Sequence, residues 1–235
     1  MEKPFIFFGV SHVTAIILSF VTPLVLAVIA RGARTRTAIR YAMAALLALN
    51  WAAWMFLLYK KGWLGIGNEL PLNLCDWATA ATFLALLKPR QRNFELAYFW
   101  ALCGTLQALL TPDCVYDFPN VQFILFFVYH GAIIAAVLYL VLGVGMRPFL
   151  ASFPRVAAWS LLYAATAGTT DAWLGTNYGF LRAKPVQPTL LNYLSPWPYY
   201  LPELVFVGIV FMIVCYAPFL AVDLLRGNLR PARAG

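Results

Sequence analysis

Charge is what this sequence has least of. Only 11% of the 235 residues are Asp, Glu, Lys or Arg, while 63% are hydrophobic and the mean hydropathy is +0.76. Soluble domains carry about a quarter charged residues, so an ordinary water-soluble enzyme and a disordered chain are both excluded. Histidine is scarcer still, with two in the chain, and the four cysteines are scattered without a CxxC pair. That pattern argues against a Cys/His zinc site and against a disulfide-stapled secreted module, and no metal or organic cofactor is indicated. The net charge of +8 comes from basic residues set between apolar runs. It does not form the basic face that nucleic-acid binding requires.

What is abundant is apolar sequence in long runs. A bilayer core about 30 Å thick takes roughly 20 residues of helix, and seven stretches approach that length: 5–30, 38–59, 70–87, 94–111, 121–143, 156–174 and 200–225. The expected fold is all-α: a polytopic transmembrane bundle of about seven helices forming a single domain over residues 1–235. One set of alternate loops and ends carries Arg31, Arg34, Arg36, Arg40, Lys88, Arg90, Arg92, Arg147, Arg155, Arg226, Arg230 and Arg233. The other holds Lys3, Lys60, Lys61, Arg182 and Lys184. Lys and Arg concentrate on the cytoplasmic side, so the N-terminus is expected outside and the C-terminus in the cytoplasm of a multi-pass plasma-membrane protein. The first run is too long for a signal-peptide core. A retinal protein is excluded because the last run contains no lysine.

The connection 175–199 is rich in Pro, Trp, Tyr and Asn. Connections of this length are usually functional or disordered, and its aromatics predict a lid or re-entrant segment. Trp197, Tyr199 and Tyr200 read as an interfacial belt.

Polar groups in hydrocarbon are costly and mark function. With this topology His12, Asn50, Asn73, Cys75, Asp76, Gln107, Gln122, His130, Thr169, Thr170 and Asp171 all fall in the outer half of their helices. That clustering predicts a polar cavity open to the outside or the outer leaflet. Within Pro71-Leu72-Asn73-Leu74-Cys75-Asp76, Pro71 reads as a first helical residue. Cys75 is thereby placed near free backbone N–H groups and the positive helix end, which favour a thiolate. Cys75 as a small apolar filler and as a disulfide partner of Cys114 are the competing uses. His130, in an otherwise non-ionisable apolar run, is a base matched to a thiol proton. An interhelical hydrogen bond is its structural alternative. His12, Asn73, Asp76, Asp171 and Asn177 are candidate substrate-binding residues, with helix packing or capping as the alternatives. Glu203, after Pro202, reads as first-turn helix charge.

Three blocks carry a resemblance. Thr176-Asn177-Tyr178-Gly179-Phe180-Leu181 with Lys184-Pro185, Leu190-Leu191 and Ser195-Pro196-Trp197-Pro198-Tyr199-Tyr200 is the first, Leu70-Pro71-Leu72-Asn73-Leu74-Cys75 the second, and His130 the third. Together they resemble the YwaF-like bacterial integral membrane family, which is related to an animal transmembrane phospholipid acyltransferase. The resemblance implies a CoA-independent acyl-cysteine mechanism with Cys75 as nucleophile and His130 as base. Its substrate would be a membrane phospholipid or lysophospholipid, transferred or hydrolysed. The rival expectations are a transporter or receptor that binds a small polar or lipid ligand without reacting, and a structural partner of another membrane protein.

Overall fold

The computed structural model describes residues 3–65, 69–185 and 189–225. Among them it is helical throughout, with seven helices: α1 Val10–Ile29, α2 Ala33–Lys61, α3 Leu74–Leu87, α4, α5 Val121–Leu142, α6 Ser152–Leu174 and α7 Tyr200–Leu225. The fourth is composite. It starts as Gln91–Trp100, widens into a π turn at Ala101–Thr105 and finishes as Leu106–Leu110. Four helices, α1, α2, α5 and α7, are long and apolar enough to cross a membrane.

Helix boundaries depart from the hydropathy runs for local reasons. Residues 5–9 do not join α1: Phe5 N–H bonds to Val115 O at 3.0 Å, and Lys3 O accepts from Asp117 N–H at 2.9 Å, so this segment pairs with the α4–α5 connection instead. The helix α2 runs further at both ends than its apolar stretch, taking in Arg34, Arg36, Lys60 and Lys61, whose long stems let a charged head leave an apolar surface. The start of α3 moves from residue 70 to 74, because Asn73 rather than a residue before Pro71 caps the helix. Pro71 therefore stands outside the helix, and Cys75 is its second residue.

A helix that is apolar all round must be buried or face lipid, and both solutions occur. On α5, Ile133, Ile134, Ala136, Val137, Tyr139 and Leu140 are wholly buried, making it the central helix. On α1 only His12, Ser19 and Pro23 are buried, and on α7 only Tyr200 and Tyr216. Close approach of α1 to α5 depends on Gly131, where a Cβ would stand 2.5 Å from Ser19 Oγ. Small residues at such crossings let helices pack tightly in membranes.

At the bundle end remote from the N-terminus of α3, polar groups act as fasteners. Arg155 donates to both oxygens of buried Glu95 at 2.8 and 2.7 Å, and Gln91 reaches Glu95 at 3.0 Å and Arg147 O at 2.8 Å. Arg147 in turn forms a two-pronged ion pair with Asp223 of α7.

Candidate functional site

At the N-terminal end of α3 the backbone of Asn73 donates to Asp76 Oδ2 at 3.0 Å, closing the first turn. Asn73 Oδ1 accepts from Gly179 N–H at 3.3 Å, and Leu70 N–H donates to Tyr178 Oη at 3.0 Å. The connection after α6 is thus stitched to the helix that carries Cys75. Cys75 O accepts from the Thr79 hydroxyl at 2.8 Å, and its thiol is free. Cys114 is also free, with its thiol on Tyr116 O at 3.2 Å, so the expected alternative of a Cys75–Cys114 disulfide is not formed.

On α5, His130 is 92% buried, and its Nδ1 lies 2.8 Å from Phe126 O. A carbonyl only accepts, so Nδ1 carries the proton and Nε2 keeps a lone pair in the neutral ring. Phe126 packs on the imidazole at 4.2 Å between ring centres, and Tyr129 meets it edge-on at 5.0 Å. These neighbours fix the ring's orientation.

Cys75, Asp76 and Asn73 from α3, His130 from α5, Asn50 from α2 and Gln107 from α4 all line one cavity of about 1120 Å³. This exceeds the roughly 300–1,000 Å³ usual for small-ligand pockets. Its remaining wall is largely apolar, with α6 and α7 contributing Ala164, Leu204, Phe211 and Met212 and α2 contributing Trp51, Trp54 and Met55. Leu161, Val205 and Ile209 line the cavity and are also 68%, 59% and 48% exposed on the outer surface. Leu161 of α6 and Val205 and Ile209 of α7 thus belong both to the cavity wall and to the outer surface of the bundle.

The polar residues singled out from the sequence do not all meet. Asn50, Asn73, Cys75, Asp76, Gln107 and His130 share the cavity. His12, Asp171 and Asn177, expected to meet a substrate, are not on its wall; their side chains bond to the protein elsewhere, although Asp171 Oδ2 is buried with no hydrogen-bond partner among the described residues. His12 is wholly buried, accepting from Phe8 N–H at Nδ1 (3.0 Å) and donating from Nε2 to Leu109 O (2.9 Å), which ties α1 to the end of α4. Asp171 is also wholly buried. Its Oδ1 accepts from the Thr176 hydroxyl at 2.6 Å and from Tyr178 N–H at 2.7 Å, turning the chain out of α6. Asn177 closes its own loop through Arg182 N–H, Ala183 N–H and Ala183 O at 2.9–3.0 Å. Asp76 does face the cavity, yet both oxygens already have protein donors, Asn73 N–H and the Tyr129 hydroxyl.

The connection after α6 holds two 3₁₀ turns, Tyr178–Phe180 and Leu190–Tyr193, and Phe180, Leu181, Leu190 and Trp197 contribute to the cavity wall. Lys184 Nζ donates to Leu194 O at 2.6 Å and Trp197 Nε1 to Leu181 O at 3.1 Å, folding the segment on itself. The expected aromatic belt is corrected here. Tyr199 and Trp197 are exposed, Trp197 also touching the cavity, but Tyr200 is fully buried with its hydroxyl on Phe180 O. Glu203, in the first turn of α7, accepts from Ser195 N–H at 2.8 Å and from the Ser195 hydroxyl, tying the connection to the helix. Just before α3, Glu69 lines the cavity, and burial followed by the neighbouring Asp76 carboxylate pushes its own carboxyl above the usual range.

Several participants carry no sequence signal. The tyrosines Tyr129 and Tyr163, both on the cavity wall, look like core aromatics in an apolar run. The π turn that brings Cys103 and Gly104 to the same wall has no composition of its own beyond small residues. No curated protein and no solved structure matches the chain. Its residues 7–216 match the profile of the TMEM164 family, and this membrane protein accordingly belongs to that family.

Proposed function

We propose that the chain is a membrane-embedded lipid acyltransferase or lipid ester hydrolase that works through an acyl-cysteine. One observation carries the reading: Cys75 and His130, the thiol and base singled out from the sequence, line the same cavity, and the route proposed for lipid runs past the exposed wall residues Leu161, Val205 and Ile209 of α6 and α7. The resemblance of the blocks around Cys75, His130 and residues 176–200 to relatives of a phospholipid acyltransferase supports the same chemistry.

In this reading a lipid enters sideways with its chains along the apolar wall and its ester at the N-terminal end of α3. His130 Nε2 takes the Cys75 proton, and Sγ attacks the ester carbonyl carbon. The new C–S bond sends the carbonyl electron pair onto oxygen, where first-turn N–H groups of α3, which lack helical partners, stabilise it. Collapse breaks the C–O bond, and the departing lysolipid oxygen receives the proton from Nε2. The hydroxyl of a second lysophospholipid, or water, then repeats these steps on the thioester and frees Cys75. Asn73 and Gln107 are placed to contact the polar part of the substrate.

Cys75→Ala should abolish transfer in purified protein, and His130→Ala should lower it by about 10²- to 10⁴-fold, the range of general-base catalysis. Full activity in both variants would contradict the mechanism and leave a binding cavity.

A further inference from the structure

The π turn in α4 frees a hydroxyl beside the proposed nucleophile. Threonines in this bundle habitually return their hydroxyl to the carbonyl four residues back: Thr79 to Cys75, Thr111 to Gln107, Thr166 to Leu162, Thr169 to Ala165 and Thr170 to Thr166, at 2.7–3.0 Å. For Thr105 that acceptor would be Ala101 O, which in the π turn accepts from the N–H of Leu106, five residues on, and the Thr105 hydroxyl does not return to it. Thr105 is wholly buried and its hydroxyl has no hydrogen-bond partner among the described residues. Thr82 is likewise unpartnered, so the signal at Thr105 is not the missing bond alone. It is the place of Thr105 in the packing: it follows Gly104, where the π turn meets Leu74, and Cys75 follows Leu74, so the hydroxyl is an electrostatic neighbour of the Cys75 thiol.

The packing that brings the two together is tight. A Cβ on Gly104 would stand 2.6 Å from Leu74 Cδ2, so the π turn meets the first residues of α3 through a position that only glycine leaves open. π turns inside α-helices recur at functional sites, and this one holds a buried, unpartnered threonine hydroxyl at the interface with the start of α3.

We propose that Thr105 is a positioning residue for Cys75, donating its hydroxyl hydrogen to Sγ once the thiol has given up its proton. Hydrogen bonds to an ionised acceptor are about twice as strong as neutral ones, so the contact favours the reactive form of Cys75 over the resting one. It also holds Sγ toward the cavity. This assignment rests on the reading of Cys75 as the reactive thiol.

The test is the rate at which iodoacetamide alkylates Cys75 in the purified full chain, followed by peptide mass spectrometry across a pH series. Alkylation needs the thiolate but no lipid. Thr105→Val, which removes only the hydroxyl, should slow alkylation of Cys75 at neutral pH by about ten- to a hundredfold, the worth of one charge-assisted hydrogen bond. The pH profile should move to higher pH, and Thr105→Ser should restore both. Cys103, in the same π turn, serves as the internal control and should react as in the parent. A Thr105→Val rate within about twofold of the parent would overturn the assignment. So would an equal change at Cys75 and Cys103, which marks a loosened turn rather than a lost donor. If Thr105→Val does not fold, Thr105→Ala read against Thr105→Ser makes the same comparison. A Thr105-dependent profile in a protein that never carries an acyl mass on Cys75 would sink the acyl-transfer reading alone. An acylated protein indifferent to Thr105 would sink this assignment alone.

Discussion

The Tyr129 hydroxyl donates to Asp76 Oδ1 at 2.9 Å and stands 3.3 Å from Cys75 O. Tyr129 precedes His130 on α5, and Asp76 follows Cys75 on α3, so one side chain fixes the register between the helices that carry base and nucleophile. Tyr129→Phe should leave Asp76 with its Asn73 partner only. Losing a hydrogen bond to a carboxylate costs about 1.5–3 kcal/mol, at about 2–4 °C of melting temperature per kcal/mol for a chain of this size. A misplacement near 1 Å costs about a hundredfold in rate, so acyl transfer should fall by more than stability does. Thermal melts in detergent beside transfer rates check this, and an unchanged rate would show that the register is held elsewhere.

Access for lipid between α6 and α7 can be blocked without touching the polar end. Gly208 lines the cavity on α7 and has no atom within 4 Å of where a Cβ would sit. Gly208→Phe should fill that opening and slow turnover of a two-chain phospholipid by roughly tenfold or more, as expected when a pocket loses the volume its ligand needs. Alkylation of Cys75 by a small water-soluble reagent should stay within about twofold of the parent. Equal slowing of both reactions would place the route elsewhere.

Glu69 gives a pH dependence of definite sign. Burial first, and Asp76 second, raise its carboxyl above the ordinary value of 4.5, so the folded protein holds this proton more tightly than the unfolded chain. The resulting stabilisation is present below about 4.5 and is lost as pH rises through the raised value. Glu69→Gln should therefore melt higher than the parent at neutral pH and show a flatter profile above pH 4.5. A Gln variant with the parent's slope would remove Glu69 from the account.

The same scarcity of charge that made the membrane fold legible made half of the site legible too. Asn73, Cys75, Asp76 and His130 stood out because little else polar shares their depth, and they do share a cavity. His12 gave an identical signal, a lone histidine in an apolar helix, but its ring faces the Leu109 carbonyl. Depth reports how far a residue lies along a helix and not which neighbour it faces. Asp171 and Asn177 are candidate head-group ligands whose place at a helix end makes capping the alternative. There the unpaired backbone of the turn claimed them first. The π turn and the free Thr105 hydroxyl are products of helix-on-helix packing around Gly104 and Leu74, contacts between segments about 30 residues apart that no local pattern encodes.

The acyl-cysteine itself is the central claim, and intact-protein mass spectrometry after incubation with phospholipid vesicles tests it most directly. The account predicts a mass increase equal to one fatty acyl group, mapped to Cys75, removed by hydroxylamine, absent in Cys75→Ala and strongly reduced in His130→Ala. An unmodified Cys75 in a protein that consumes lipid ester, or an acyl group that persists in Cys75→Ala, would contradict it.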